Sequence, residues 1–222
     1  MSSDGSVPGA TLTARGLGVR FSPRRAPALE GADLRIESGT VSWFLGPNGS
    51  GKSSLALACA GLIPGGVPGE RTGRITIGGA DPASLAPRER VRRVGLILQD
   101  PEAQLAAPSV RSELALILEN QAVEPRLIRA AVESTLKELG IAYLADRRVH
   151  ELSGGEKQLV AIAAFAVRPP SLLVLDEPGA YLDEENRRRL YRFLQGMRES
   201  RPALTMAFVE HRTEELPVPE QV

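Results

Sequence analysis

An α/β fold, with a mostly parallel sheet and helices on both of its faces, is what this sequence predicts, and two observations predict it. Short apolar segments of strand length alternate with helix-length stretches between residues 41 and 209, the pattern of a sheet wound with crossover helices. One of those segments, residues 41–45, runs directly into a glycine-rich turn and then into a helical stretch. A further pair of strands ahead of this unit and a helical lobe inside it complete the expected architecture.

The elements follow in chain order. Residues 1–10, rich in Ser and Gly, read as a disordered tail. Residues 11–21 and 28–36 alternate in part and bracket a Pro/Arg turn, which predicts two antiparallel strands. A turn at Ser38-Gly39 leads into the strand at 41–45, and a helix is expected over 52–61 with Gly61 as its stop. Residues 64–73 hold several Gly and Pro and read as a surface loop, with a short strand at 74–77 ended by Gly78-Gly79. A buried strand at 94–98 precedes a helical region, about 100–155, with helices at 109–120 and 125–139. That region reads as a lobe inserted into the sheet domain. A helix at 155–167 is closed by Pro169-Pro170; a buried strand at 172–175, a charged amphipathic helix at 184–198 and a last strand at 203–209 follow.

The bulk composition excludes several classes. Lys+Arg and Asp+Glu both number 27, so the formal net charge is zero, and no nucleic-acid partner is expected without a basic excess. The arginine clusters at 88–93 and 187–189 read as solvated helix faces. A single cysteine, Cys59, rules out an internal disulfide and sits in an apolar run as a small core filler. Two histidines, His150 and His211, do not make a metal cluster. The longest apolar run, 159–167, is about half of what a membrane span needs, and the N-terminus lacks the pattern of a signal peptide. A soluble protein is expected, attached to a membrane only through a partner.

The turn Gly46-Pro47-Asn48-Gly49-Ser50-Gly51-Lys52-Ser53 matches the G-x-x-x-x-G-K-[ST] pattern in full and has the strand-before, helix-after context that the pattern requires. Glycines let the backbone wrap a phosphate chain, and the helix start adds its positive end. Lys52 supplies a mobile charge for the β- and γ-phosphates, and the Ser53 hydroxyl is placed to hold Mg²⁺. The apolar segment 172–175 ends in Asp176 and Glu177. A carboxylate at the strand tip orders the Mg²⁺ water shell in phosphate-loop enzymes, and Glu177 is the candidate that orients and polarises an attacking water. These features alone fit kinases, GTPases, helicases and transporter motors equally.

The segment Leu152-Ser153-Gly154-Gly155-Glu156-Lys157-Gln158 separates them. It resembles the signature motif of the ATP-binding-cassette (ABC) family and lies upstream of the carboxylate strand, where that family has it. By itself it is a serine N-cap followed by paired glycines at a helix start, a second anion-binding turn. The resemblance implies a P-loop NTPase (RecA-like) core over residues 11–222 with the helical lobe inserted, and a subunit that binds and hydrolyses ATP with Mg²⁺ to power transport. It further implies that Phe21 stacks on adenine, that Ser54 joins the phosphate loop, and that Gln99 touches Mg²⁺ and the nucleophilic water. His211 then senses the γ-phosphate, and Asp183 belongs to a loop that crosses to a second ABC ATPase subunit, identical or different. That subunit offers its Ser153, Gly154, Gly155 and Glu156 to the facing nucleotide. Gln99-Asp100-Pro101-Glu102-Ala103-Gln104-Leu105 looks like the extended glutamine segment of energy-coupling-factor ATPases and their cobalt/nickel-uptake relatives, in which Gln104 would begin a short helix near the groove for the transmembrane subunit. Uptake of a vitamin or transition-metal ion at the cytoplasmic face of the cell membrane is the implied setting.

The sequence departs from the family pattern at several points. Ser54 stands in place of Thr, Glu156 in place of Gln, Leu159 in place of Arg, and Tyr181 in place of a small residue; Glu210-His211-Arg212 replaces Thr-His-Asp. The chain runs 11 residues past His211, where the family adds further strands and a helix, so the last strand is expected to be poorly supported. DNA-repair cassettes insert a long coiled coil, but about 100 residues without a heptad run separate Lys52 from Ser153. Ribosomal members carry two cassettes, and degenerate partners lack the carboxylate and the histidine. A small-molecule kinase has no use for the signature.

Overall fold

The computed structural model describes residues 9–23 and 26–211. The tail read over residues 1–10 therefore lies largely outside the described residues, as does Arg212. Gly9 and Ala10 are ordered: Ala10 is buried and its carbonyl accepts from Thr205 Oγ1 at 3.3 Å. The chain divides into two compact units, one formed by residues up to Leu96 with Pro170–Asp176 and the residues from Pro202, the other by Ile97–Pro169 and Glu177–Arg201.

The first unit holds two sheets. β1 (Leu12–Phe21) pairs antiparallel with β2 (Leu29–Ile36), as the alternation predicts. β3 (Val41–Leu45) leads through the glycine turn to α1 (Lys52–Cys59). β4 (Gly69–Ile77) then pairs antiparallel with β1, giving the order β2-β1-β4. Here the sequence reading is corrected: residues 69–73, expected as loop, are strand. The glycines that signalled a loop serve the strand pair instead. Gly16 and Gly73 both hold positive φ (56° and 71°), and a Cβ on Gly73 would stand 2.2 Å from the Gly16 carbonyl oxygen, so only glycine allows this crossing. α2 (Pro87–Arg93) starts with proline in its first turn and leads to β5 (Val94–Ile97).

The second sheet has the order β3-β7-β6-β5, with β6 spanning Leu172–Asp176 and β7 Thr205–Glu210. β7 runs parallel to both β3 and β6. β5 and β6 are buried throughout, which is why they read as continuous apolar runs rather than alternating ones. The last strand, expected to lack support, is interior to the sheet, and Thr205–Val209 are all buried. Trp43 on β3 stacks on its register partner Phe208 with ring centroids 4.3 Å apart. Cys59 is fully enclosed on α1, and burial pushes its thiol pKa up to about 12, as suits core filler.

The second unit is helical. α3 (Val110–Asn120) is capped by Ser109, α4 (Pro125–Glu138) begins with proline, α5 spans Gly154–Ala166 and α6 Glu184–Ser200. Leu114, Leu136, Leu139, Ile141, Leu144 and Leu159 form its fully buried centre. Among the described residues no helix is long and apolar enough to cross a membrane.

Candidate functional site

Three chemistry-bearing segments of the first unit leave the same edge of the parallel sheet. The register aligns Leu45 with Glu210 and Asp176 with Val209. The glycine turn after β3, His211 after β7 and Asp176 at the end of β6 therefore all lie at the carboxyl ends of adjacent strands, where open α/β sheets bind ligands. Gly46, Gly49 and Gly51 have positive φ, and a Cβ on Gly51 would meet the Ala28 carbonyl oxygen at 2.5 Å. The loop conformation thus depends on glycine.

Lys52 sits in the first turn of α1, is only 9% exposed, and folds back over the loop. Its Nζ donates to the carbonyls of Gly46 at 2.7 Å and Pro47 at 2.9 Å, and lies 3.4 Å from His211 Nδ1. These partners are two carbonyls and an imidazole, and no carboxylate is among them. Ser53 and His211 are exposed, Ser54 and Asp176 buried, and Phe21 half-buried at the end of β1. Pro47, Asn48 and Ser50 are exposed, and Ser50 N donates to the Pro47 carbonyl.

This donor set fits a Mg²⁺-nucleotide. Mg²⁺ takes one or two carboxylates or hydroxyls together with phosphate oxygens and water, not a dedicated protein cage. The described residues contain no group of three or more His, Cys, Asp or Glu that could hold a metal, while Ser53 follows Lys52 on the glycine turn and Asp176 ends a strand at the same sheet edge.

The second unit carries the remaining predicted residues. Glu177 follows β6 in the left-handed region at φ 48°, strained for a non-glycine residue. Its Oε2 accepts from Gln99 Nε2 at 3.1 Å. Gln104 accepts from Leu98 N at 2.7 Å and closes the 3₁₀ turn Pro101–Ala103. It thus ends a short helical turn, where the sequence reading had it begin one; Asp100 is the residue that caps this turn.

The signature turn is a complete capping box. Ser153 Oγ accepts from Glu156 N at 3.3 Å, and Glu156 Oε2 accepts from Ser153 N at 2.8 Å and from Ser153 Oγ at 2.9 Å. Tyr181 covers the glycines: a Cβ on Gly155 would stand 3.0 Å from its carbonyl oxygen. Asp183 caps α6, accepting from Asn186 N at 2.8 Å. Sequence reasoning missed the ion pair between Lys157 and Glu102, which ties α5 to the glutamine segment. The lysine's hydrogen bond and charge hold the Glu102 carboxyl below its usual pKa. No local pattern announces a pair 55 positions apart.

The profile of the ABC transporter family matches residues 29–180. An ABC transporter ATP-binding protein of Vibrio vulnificus is 33% identical over 206 residues, covering 93% of this chain and 36% of that protein. One from Streptomyces coelicolor is 36% identical over 188 residues, covering 85% of this chain and 70% of that protein. The chain spans about a third of the length of the Vibrio relative. Among solved structures, cbiO1 of Clostridium perfringens, part of the ABC transporter complex cbiONQ, superposes with a TM-score of 0.74 at 30% identity, covering 90% of this chain and 78% of that one. Matched by the family profile over more than half of its length, the chain belongs to the ABC transporter family and forms an ATPase domain of it.

Proposed function

We propose that this chain is the ATP-hydrolysing motor subunit of an importer for a micronutrient, a vitamin or a transition-metal ion, working at the cytoplasmic face of the membrane through a transmembrane partner. The Gln99–Glu177 contact at 3.1 Å carries the hydrolytic reading. The Glu177 carboxylate, held by the Gln99 amide on a strained backbone, is the group we assign to orient and polarise a water. Gly46 to Ser54 wrap the triphosphate with backbone N–H groups, Lys52 exchanges its carbonyl partners for the β- and γ-phosphates, and Phe21 stacks on the base. Ser53, Asp176 and Gln99 would hold Mg²⁺, which would supply charge neutralisation for the phosphate oxygens. His211 contacts the γ-phosphate from the end of β7.

The signature turn serves a second subunit. Ser153, Gly154, Gly155 and Glu156 face the nucleotide of a partner ATPase, identical or different, and Asp183 lies in the loop that reaches it. ATP then stabilises the closed pair because the closed state gains phosphate contacts that the open state lacks. The micronutrient cargo rests on the likeness of residues 99–105 to the glutamine segment of energy-coupling-factor ATPases and on the fold of the cbiO1 neighbour.

Glu177→Gln tests the reading. The variant should bind ATP normally and hydrolyse it about 10²–10⁴-fold more slowly, measured as phosphate release; wild-type turnover refutes the assignment. Co-purification of a transmembrane subunit, and the ion or vitamin retained with it, tests the cargo.

A further inference from the structure

The outward face of the three-stranded sheet carries charges that the nucleotide reading does not use. β1 alternates there, with Leu12 and Ala14 buried and Thr13 and Arg15 turned outward. In register, Arg35 of β2 and Thr76 of β4 flank Thr13, and Arg15 stands directly opposite Arg74. Like charges facing each other across a strand pair are destabilising. The close approach of Gly16 and Gly73 lies beside this confrontation, because each arginine is the chain neighbour of one of those glycines.

Arg15 and Arg74 are both exposed, and neither has an ion-pair partner among the described residues. Two carboxylates near this face are already engaged. Glu37 pairs with Arg35 at 2.5 Å and accepts from Thr11, and Asp33 accepts from Gly16 N at 2.7 Å. A cavity of about 320 Å³ opens between Thr13, Arg15, Arg35, Arg74, Thr76 and Gly79, at the lower end of the ~300–1,000 Å³ typical of small-molecule sites.

We propose that this cavity binds a phosphate group, as an anion site separate from the glycine-rich loop. Arg15 and Arg74 embrace the phosphoryl oxygens with their guanidinium forks, and the hydroxyls of Thr13 and Thr76 complete the set. The ligand's charge removes the repulsion that the empty register leaves. A free phosphate ester and an anionic lipid headgroup offer the same chemistry.

Inorganic pyrophosphate is titrated calorimetrically into the Lys52→Ala chain with the nucleotide loop saturated by a non-hydrolysed ATP analogue, so that the heat reports this cavity. Binding should weaken about tenfold or more when Arg15→Gln and Arg74→Gln are added. In a parallel arm the same chains are sedimented with phosphatidic acid vesicles and with phosphatidylcholine vesicles. Pyrophosphate binding that needs the arginines assigns a free phosphate ester; capture by phosphatidic acid vesicles alone, again arginine-dependent, assigns a lipid headgroup. In phosphate-free buffer Arg74→Gln should melt higher than the parent, since it removes the facing charge. Absence of both kinds of binding, or binding that survives in the double variant, overturns the proposal. ATP hydrolysis by Arg15→Gln/Arg74→Gln with Lys52 intact should stay within about twofold of the parent, because surface changes away from the nucleotide loop leave its geometry alone.

Discussion

The phosphate loop and the signature turn are both glycine-rich helix starts followed by a lysine, yet they solve opposite problems. In the loop, Lys52 is held among the described residues by two carbonyls and an imidazole, with no carboxylate partner. In the signature turn, Lys157 is neutralised by Glu102, and the open N-terminus of α5 is closed by the carboxylate of Glu156. The loop offers a lysine with no carboxylate among its hydrogen-bond partners. The turn is a satisfied helix cap, which in the proposed function exchanges a carboxylate for an incoming phosphate. The glycines differ likewise: those of the loop hold left-handed backbone, while Gly154 and Gly155 are the first residues of a helix.

The largest expected effect lies with the two lysines. Lys52→Ala should weaken binding of a non-hydrolysed ATP analogue about 100-fold, the worth of roughly two charge-assisted hydrogen bonds. Lys157→Ala should leave it within about twofold. Equal losses in a calorimetric titration would end the distinction. Next come the glycines. Gly51→Ala should cost on the order of 2–3 kcal/mol of folding stability, because φ is 93° and the new Cβ meets a carbonyl oxygen. Gly154→Ala, whose nearest neighbour is a ring carbon of Tyr181 at 3.6 Å, should stabilise by about 0.5–1 kcal/mol. Urea unfolding of the two variants reads both signs directly.

A smaller loss follows at the cap. Ser153→Ala should destabilise by about 1 kcal/mol through the lost hydrogen bond to Glu156 N, a change that the loop's Ser50→Ala should not share. The smallest effect is a pH dependence. The Lys157 hydrogen bond and charge keep the Glu102 carboxyl below its ordinary range, so its contribution is present above the unfolded pKa and fades as pH falls through the folded one. The stability difference between the parent and Lys157→Met should therefore shrink on acidification below about pH 4.5. A difference that grows instead would assign Lys157 another partner.

Much of this molecule was legible in its sequence, and the exceptions share a cause. The strands buried on both faces, β5 and β6, announced themselves as apolar runs, and the phosphate loop as a strict spacing. The Ser153 cap and its Glu156 return bond were implicit in the S-x-x-E order. The first residues of β4 were hidden because a glycine signals a turn far more often than a crossing of two strands. The left-handed Glu177, the Gln104 bond to Leu98 N and the Lys157–Glu102 pair were hidden because each depends on a fold already made. Local chemistry is written in neighbours; strain and long-range pairing are not.

Trp43 is the sole tryptophan of the chain, and it lies flat against Phe208 on the strand that delivers the glycine turn. Its indole is therefore an optical probe already installed at the root of the nucleotide loop. Emission intensity and colour should register any parting of β3 from β7 without a label, and energy transfer from the indole to a fluorescent ATP derivative would report how near the bound nucleotide comes to that ring.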